Sequence, residues 1–431
     1  MNGARQLLAR LLTRAAATAV LLAPTCAQTQ WIADGPHRGL PSPKAAWRPY
    51  DQDLAHPANR IFASTFLVEL VPAEVGAALP AEAENATAHG ADARHFGKRP
   101  GEERDRRLFG GDALQLPRES FSEAKSKALL AALEDLRGEP LAALRTSTFA
   151  CVWLQNDILR LARRLLDTDA NPELLAPLLD AARRLALPRA QLLDSGLATF
   201  STKDLAALEP GIDPEKLVEV ERRSTRLFDA ERSLLWSRVF FQWPGNDGRD
   251  FAEELASIAK GEAPKVPIGT RAVLVQGIVA LDDRGAPCAT PLAIDVRLQQ
   301  FVGSADPAAA KASTTHDGVD FRVFWLSRET LRTKGGAVTL RDFREVGDED
   351  QVLFRDYGTL KHTTVGAQCT LCHRVSGTPE PELAGFPLLR KTAQPRVASS
   401  STARLELAER EFVKFLAALA SAAKRNSVTT R

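Results

Sequence analysis

Methionine is almost missing from this chain of 431 residues: the single one is Met1. A thioether ligand is therefore excluded from any metal site downstream. Histidine is scarce, with 7 residues, and none follows His373. Charge of one sign is not in excess: 56 Lys and Arg face 54 Asp and Glu, and the two signs are interspersed, which gives no sign of a nucleic-acid partner. Long hydrophobic runs are absent too. The stretch Ala15 to Ala23 falls short of the roughly 20 apolar residues that a spanning helix needs, and no later segment is long and apolar enough either. No nucleophile elbow, P-loop, dinucleotide fingerprint or internal repeat occurs. What remains is an ordinary globular composition, 44% hydrophobic and 26% charged, in a chain of 46.8 kDa that is long enough for two or three domains.

The first 27 residues have the layout of an export signal. Arg5, Arg10 and Arg14 form the basic region, Ala15 to Ala23 the apolar stretch, and Thr25-Cys26-Ala27 a small-residue cleavage site. The mature chain is expected to be extracytoplasmic, periplasmic or secreted, with no transmembrane segment. A lipid anchor at Cys26 is the lesser reading, because Ala23-Pro24-Thr25 makes a poor lipidation signal.

Periodicity divides the rest into an α+β chain. Residues 28–117 read as an irregular region, and Gly101 to Arg107 as a solvated loop. Residues 118–262 read as a helical domain. Ser120 and Glu123 form a capping box, Leu129, Leu133 and Leu136 follow at helical spacing, and Gly138 with Pro140 ends that helix. Leu154, Ile158, Leu161 and Leu165 give the next helix one apolar face. Asp213 with Pro214 is expected to open a third, long helix that carries Leu217, Val220, Leu227, Phe228, Leu234 and Leu235 and stops at Pro244. Residues 263–360 read as a β-rich domain: a small antiparallel sheet with one buried face. Its strands are Arg271 to Leu281, a run alternating at Leu292, Ile294, Val296 and Leu298, another alternating at Phe321, Val323 and Trp325, and short strands at Ala337 to Leu340 and Val352 to Phe354. Asp282 to Gly285 reads as a turn, and Asp348-Glu349-Asp350 as another. Residues 361–431 hold a cysteine-bearing segment and a terminal helix with Leu405, Ala408, Phe412, Phe415 and Leu419 on one side.

The chemistry is concentrated at Cys369-Thr370-Leu371-Cys372-His373. Two thiols at i and i+3 can add across the two vinyl groups of one porphyrin, and the adjoining imidazole then reaches the iron as proximal ligand. The pentad resembles the attachment site of c-type cytochromes, and its place after a β-rich stretch is similar in layout to the β-sheet members of that group. The resemblance covers those five residues with their flanks. It implies one covalent haem c, held through Cys369 and Cys372 with His373 on iron, and an extracytoplasmic protein. Two rivals are weaker. A structural zinc site would draw on a second Cys or His pair, and no Cys or His follows His373. A thioredoxin-like dithiol would need a βαβ surround.

With methionine gone, the sixth iron position falls to another donor or stays open. His362, eleven residues before His373, is the nearest imidazole and the candidate distal ligand. His316, His37, His56, His89 and His95 are the others, and Tyr357 and Lys361 are further donors close in sequence. Two imidazoles on iron favour low-potential electron transfer, whereas a vacant position admits O₂, NO or peroxide. The function expected is that of an exported mono-haem c-type cytochrome that passes one electron to or from an unidentified redox partner protein. The alternative is a haem enzyme or a protein that binds a small gas or peroxide at an open distal position. In a third reading, haem is a structural staple for a larger binding protein. Cys151 and Cys288 are left over, either as a disulfide or as buried thiols.

Overall fold

The computed structural model describes residues 49–69, 107–109, 123–194, 200–222, 234–244, 248–262, 267–301, 319–326, 328–334, 338–346, 351–356, 359–364, 395–400 and 402–429. They form a mixed helix and strand structure about one antiparallel sheet. Two short strands, β1 (Leu67–Glu69) and β2 (Arg107–Phe109), pair separately. The large sheet is built from β3 (Leu217–Arg222), β4 (Leu235–Gln242), β5 (Arg271–Leu281), β6 (Pro287–Phe301), β7 (Val319–Trp325) and β8 (Arg344–Val346). A hairpin apart from it, β9 (Gln351–Asp356) with β10 (Thr359–Thr364), follows in the chain. β11 (Pro395–Val397) then returns to the large sheet, whose order is β11-β3-β4-β5-β6-β7-β8. The chain between β8 and β11 therefore leaves one edge of the sheet and comes back at the other.

Two of these strands replace the third helix expected from Asp213. Asp213 does cap, accepting from the amide of Glu215 at 3.1 Å, and Pro214 does stand at the first position. The turn that they start is only the 3₁₀ turn Pro214–Lys216, after which the chain enters β3. The stretch Trp236-Ser237-Arg238-Val239-Phe240-Phe241 is rich in aromatic and β-branched residues that suit a pleated surface, and it pairs along its whole length with β5. The sheet thus takes strands from both sides of residue 262. Leu227 and Phe228 lie outside the described residues.

The expectation of one buried face is also corrected. Phe240, Val273, Val275, Ile294, Val296 and Leu298 belong to the main core, together with the helices. Val239, Phe241 and Ala272 on β4 and β5 belong to a second core under the helix Gly248–Lys260, with Phe251, Leu255 and Ile258. Phe251 stacks at 5.6 Å from Phe241 and 5.2 Å from Trp243. Burial on both faces explains how Asp295 can be fully enclosed on β6: its carboxylate accepts from Arg297 Nε at 2.9 Å and from the indole of Trp325 at 2.8 Å. At the β5–β6 bulge, the indole of Trp236 crosses over Gly277 and donates to the carbonyl of Thr290 at 2.7 Å.

The helices follow their apolar spacing. In chain order, α1 is Pro57–Phe66, α2 Glu123–Asp135, α3 Gly138–Leu144, α4 Thr148–Thr168, α5 Leu175–Arg184, α6 Arg189–Asp194, α7 Thr202–Leu208, α8 the Gly248–Lys260 helix already placed, α9 Arg328–Lys334 and α10 Ala403–Thr429. Leu129, Leu133 and Leu136 are buried, as are Leu154, Ile158, Leu161 and Leu165 on α4. Ala408, Phe412, Phe415 and Leu419 seat α10 in the main core, and Leu405 packs against its rim. α4 is pinned to the sheet by polar side chains. Gln155 donates to the carbonyls of Ala182 and Leu281 and accepts from the Leu281 amide at 2.6 Å, while Asn156 donates to Leu234 at 3.1 Å.

Two further expectations give way. Residues 57–66, read as irregular, form α1: Pro57 opens it, His56 Nδ1 accepts from the Ala58 amide at 3.2 Å, and Ile61 and Phe62 are buried. A single short amphipathic stretch of this kind has too few turns for its period to stand out. The strand expected at Ala337 to Leu340 is instead a capped 3₁₀ turn, Leu340–Asp342, with the Asp342 carboxylate accepting from the Thr339 amide at 2.7 Å. Ser120 and Gly101 to Arg106 lie outside the described residues.

Candidate functional site

Cys369, Cys372 and His373 lie outside the described residues, as do His37, His89, His95, His316 and Tyr357. The structure gives the elements on either side of the pentad. β10 ends at Thr364, five residues before Cys369, and β11 begins at Pro395. The backbone of His362 sits in β10, opposite Leu353 of β9. This places the candidate distal ligand on a paired strand that leads directly into the attachment segment.

His56 is a different case. Its Nδ1 accepts the Ala58 amide, so in the neutral ring the proton is on Nε2, a buried atom with no hydrogen-bond partner among the described residues. The geometry makes His56 a helix cap.

Cys151 on α4 and Cys288 on β6 are both buried and free, so they form no disulfide. Burial pushes the Cys151 thiol up to about 12 and the Cys288 thiol up to about 11, against the opposing pull of Arg145 and Arg189 respectively. Both are inert neutral thiols in the folded chain. The acidic pair Asp282-Asp283 is a turn, as its sequence suggests: Asp282 accepts from the amides of Arg284 at 3.0 Å and Ala286 at 2.8 Å. Asp348-Glu349-Asp350 lies outside the described residues. Among the described residues, no three His, Cys, Asp or Glu side chains come together in a way that could hold a metal ion.

The structure adds a constellation that sequence reasoning missed. Asp157, in the middle of α4, accepts from the hydroxyl of Tyr50 and, at 2.7 Å, from Nη2 of Arg328 at the start of α9. The guanidinium of Arg328 lies over the rings of Trp153 at 4.7 Å and Phe62 at 5.2 Å, and both members of the pair are buried. Burial, followed by the Asp157 charge, raises the Tyr50 hydroxyl well above its ordinary value, so it remains a proton donor. Beside the pair opens a cleft of about 170 Å³ between Pro49–Asp51, the first turn of α4 and α9. Sequence carried a signal for it: Asp157 and Arg160 follow Trp153 at four and seven residues, which puts charged side chains on the same helix face as a large apolar one.

Comparisons with protein-family models, with curated proteins and with solved structures find no match.

Proposed function

We propose that this chain is an exported mono-haem c-type cytochrome: Cys369 and Cys372 hold the porphyrin by thioethers, His373 ligates the iron, and the protein exchanges one electron with a partner outside the cytoplasm. The observation that carries the proposal is the pentad itself, two thiols and an imidazole at attachment spacing. The donor set fits haem c by its chemistry, because it supplies two nucleophilic sulfurs for the vinyl groups and one neutral nitrogen for iron. A haem so bound would supply a one-electron iron couple. The flanking elements suit the role: β10 and β11 anchor the attachment segment at both ends. No described helix is long and apolar enough to cross a membrane.

The direct test is the pyridine haemochrome spectrum of protein matured in a host competent for haem attachment. A haem c spectrum that survives acid-acetone extraction is the expected result, and a colourless product ends the proposal. Cys369→Ala together with Cys372→Ala removes the colour.

The alternative, an open distal position that binds a small gas or peroxide, is favoured by one observation: the only methionine is Met1 and no histidine follows His373. The visible spectra separate the two readings. Low-spin iron that turns high-spin in His362→Ala supports transfer with His362 as distal ligand. High-spin iron in the unaltered protein supports the open site.

A further inference from the structure

His56 stands immediately before Pro57, the first residue of α1, and caps that helix end. Pro57 has no amide hydrogen, so the Ala58 amide is the first that the end leaves open, and Nδ1 of His56 accepts it at 3.2 Å. In most helices serine, threonine, aspartate or asparagine holds this position, and each keeps its acceptor at any pH near neutrality. An imidazole does not. A proton at Nδ1 turns the acceptor into a donor that points at another donor, and it sets a positive charge at the positive end of the helix.

No carboxylate among the described residues is bonded to the ring. The first turn of α1 holds no acidic residue, and Nε2 is buried without a hydrogen-bond partner. Asp51 and Asp53, in the strap that precedes the helix, accept from the amides of Asp53 at 2.8 Å and Ala55 at 2.9 Å. Arg60, one turn along α1, pairs with Asp135 of α2 at 2.5 Å, and Glu134 of α2 pairs with Arg137. From α4 and α9, Asp157 is taken by Tyr50 and Arg328, while Arg160 adds positive charge.

The same helix end holds the strap, residues 49–55, on the molecule. Asn59, buried in the first turn, accepts from the Tyr50 amide at 3.0 Å and donates to the carbonyls of Asp51 at 2.9 Å and Asp53 at 2.6 Å. The His56 amide donates to the Asp53 carbonyl at 3.1 Å. When the first turn of α1 frays, Asn59 loses its place and these bonds go with it.

We infer that His56 is a proton-sensitive latch: the neutral ring caps α1 and holds residues 49–55 against the helices, and the protonated ring releases them. The latch needs no cofactor, so it stands apart from the haem reading.

Hydrogen-exchange mass spectrometry on the full, matured protein tests it at about pH 7.5 and about pH 5.5, either side of the midpoint at which free histidine titrates. Rates are corrected for the intrinsic pH dependence of exchange. Peptides covering residues 49–60 should lose protection roughly fivefold at the lower pH, the fold-change that matches one lost cap, while peptides of α5 keep theirs. His56→Asn, which retains a capping acceptor at both pH values, should abolish the response. Asp53→Asn, which removes a carboxylate of the strap, should leave it in place. Protection indifferent to pH, a loss shared equally by α5, a response that survives in His56→Asn, or one that disappears only in Asp53→Asn overturns the inference.

Discussion

The indole of Trp236 occupies the space in which a side chain at Gly277 would have to stand. A Cβ there would fall far inside contact distance of the ring and of the Leu292 carbonyl. Gly277→Ala must therefore displace Trp236 or open the β5–β6 bulge, and overpacking of this kind costs about 1–3 kcal/mol. Gly285 is the control: nothing lies within 4 Å of its Cβ position, and only its φ of +78° resists alanine, at about 1 kcal/mol. Urea midpoints of the two variants should rank in that order.

Removing one partner of the Asp157–Arg328 pair leaves the other charge buried. Arg328→Met is expected to destabilise the fold by about 3–5 kcal/mol, measured by denaturant unfolding. The loss should exceed that of Arg137→Met, whose ion pairs with Glu134 and Asp180 are exposed and contribute about 0–1 kcal/mol.

Glu345 sets part of the acid limb of stability. Hydrogen bonds from Arg322, at 2.7 Å from both Nε and Nη2, hold its carboxyl below the ordinary value of 4.5. The unfolded chain therefore takes up this proton first. The contribution is complete above 4.5 and drains away as pH falls through the lower folded value. Glu345→Gln should lower stability slightly near neutrality and make the loss between about pH 5 and pH 3 shallower. The effect is small because the pair is half exposed to solvent.

Thiol titration links the free cysteines to the proposed cofactor. Native protein should not react with iodoacetamide near pH 8, because both described thiols are buried and have raised pKa values. In denaturant, Cys151 and Cys288 should alkylate, while Cys369 and Cys372, as thioethers, should not. Mass spectrometry that finds all of them alkylated in the full population would remove the haem reading.

The features legible in sequence were those in which local pattern and tertiary environment agree. The faces at Leu129-Leu133-Leu136 and Leu154-Ile158-Leu161-Leu165, the alternation at Leu292 to Leu298 and the Asp282 turn all keep one period or one turn chemistry through a whole element. β3 and β4 escape a local reading because Asp213-Pro214 is a genuine cap, and because Leu217, Val220, Leu234 and Leu235 fit a helical period, whereas in β3 Leu217 and Val220 face opposite cores. The long-range pairing with β5 decided between them. The pentad is contiguous, so a reader of sequence finds it directly. The hydrogen-bonded cluster joins residues 50, 157 and 328, which no local pattern brings together.

The pentad precedes β11 on the edge of the sheet and α10 in the main core. A thiol must be reachable, on slack chain, for a maturation enzyme to stitch it to a vinyl group. On the haem reading, the two thiols are synthesised before Pro395 onward, so attachment can begin while Phe412, Phe415 and Leu419 are still undocked.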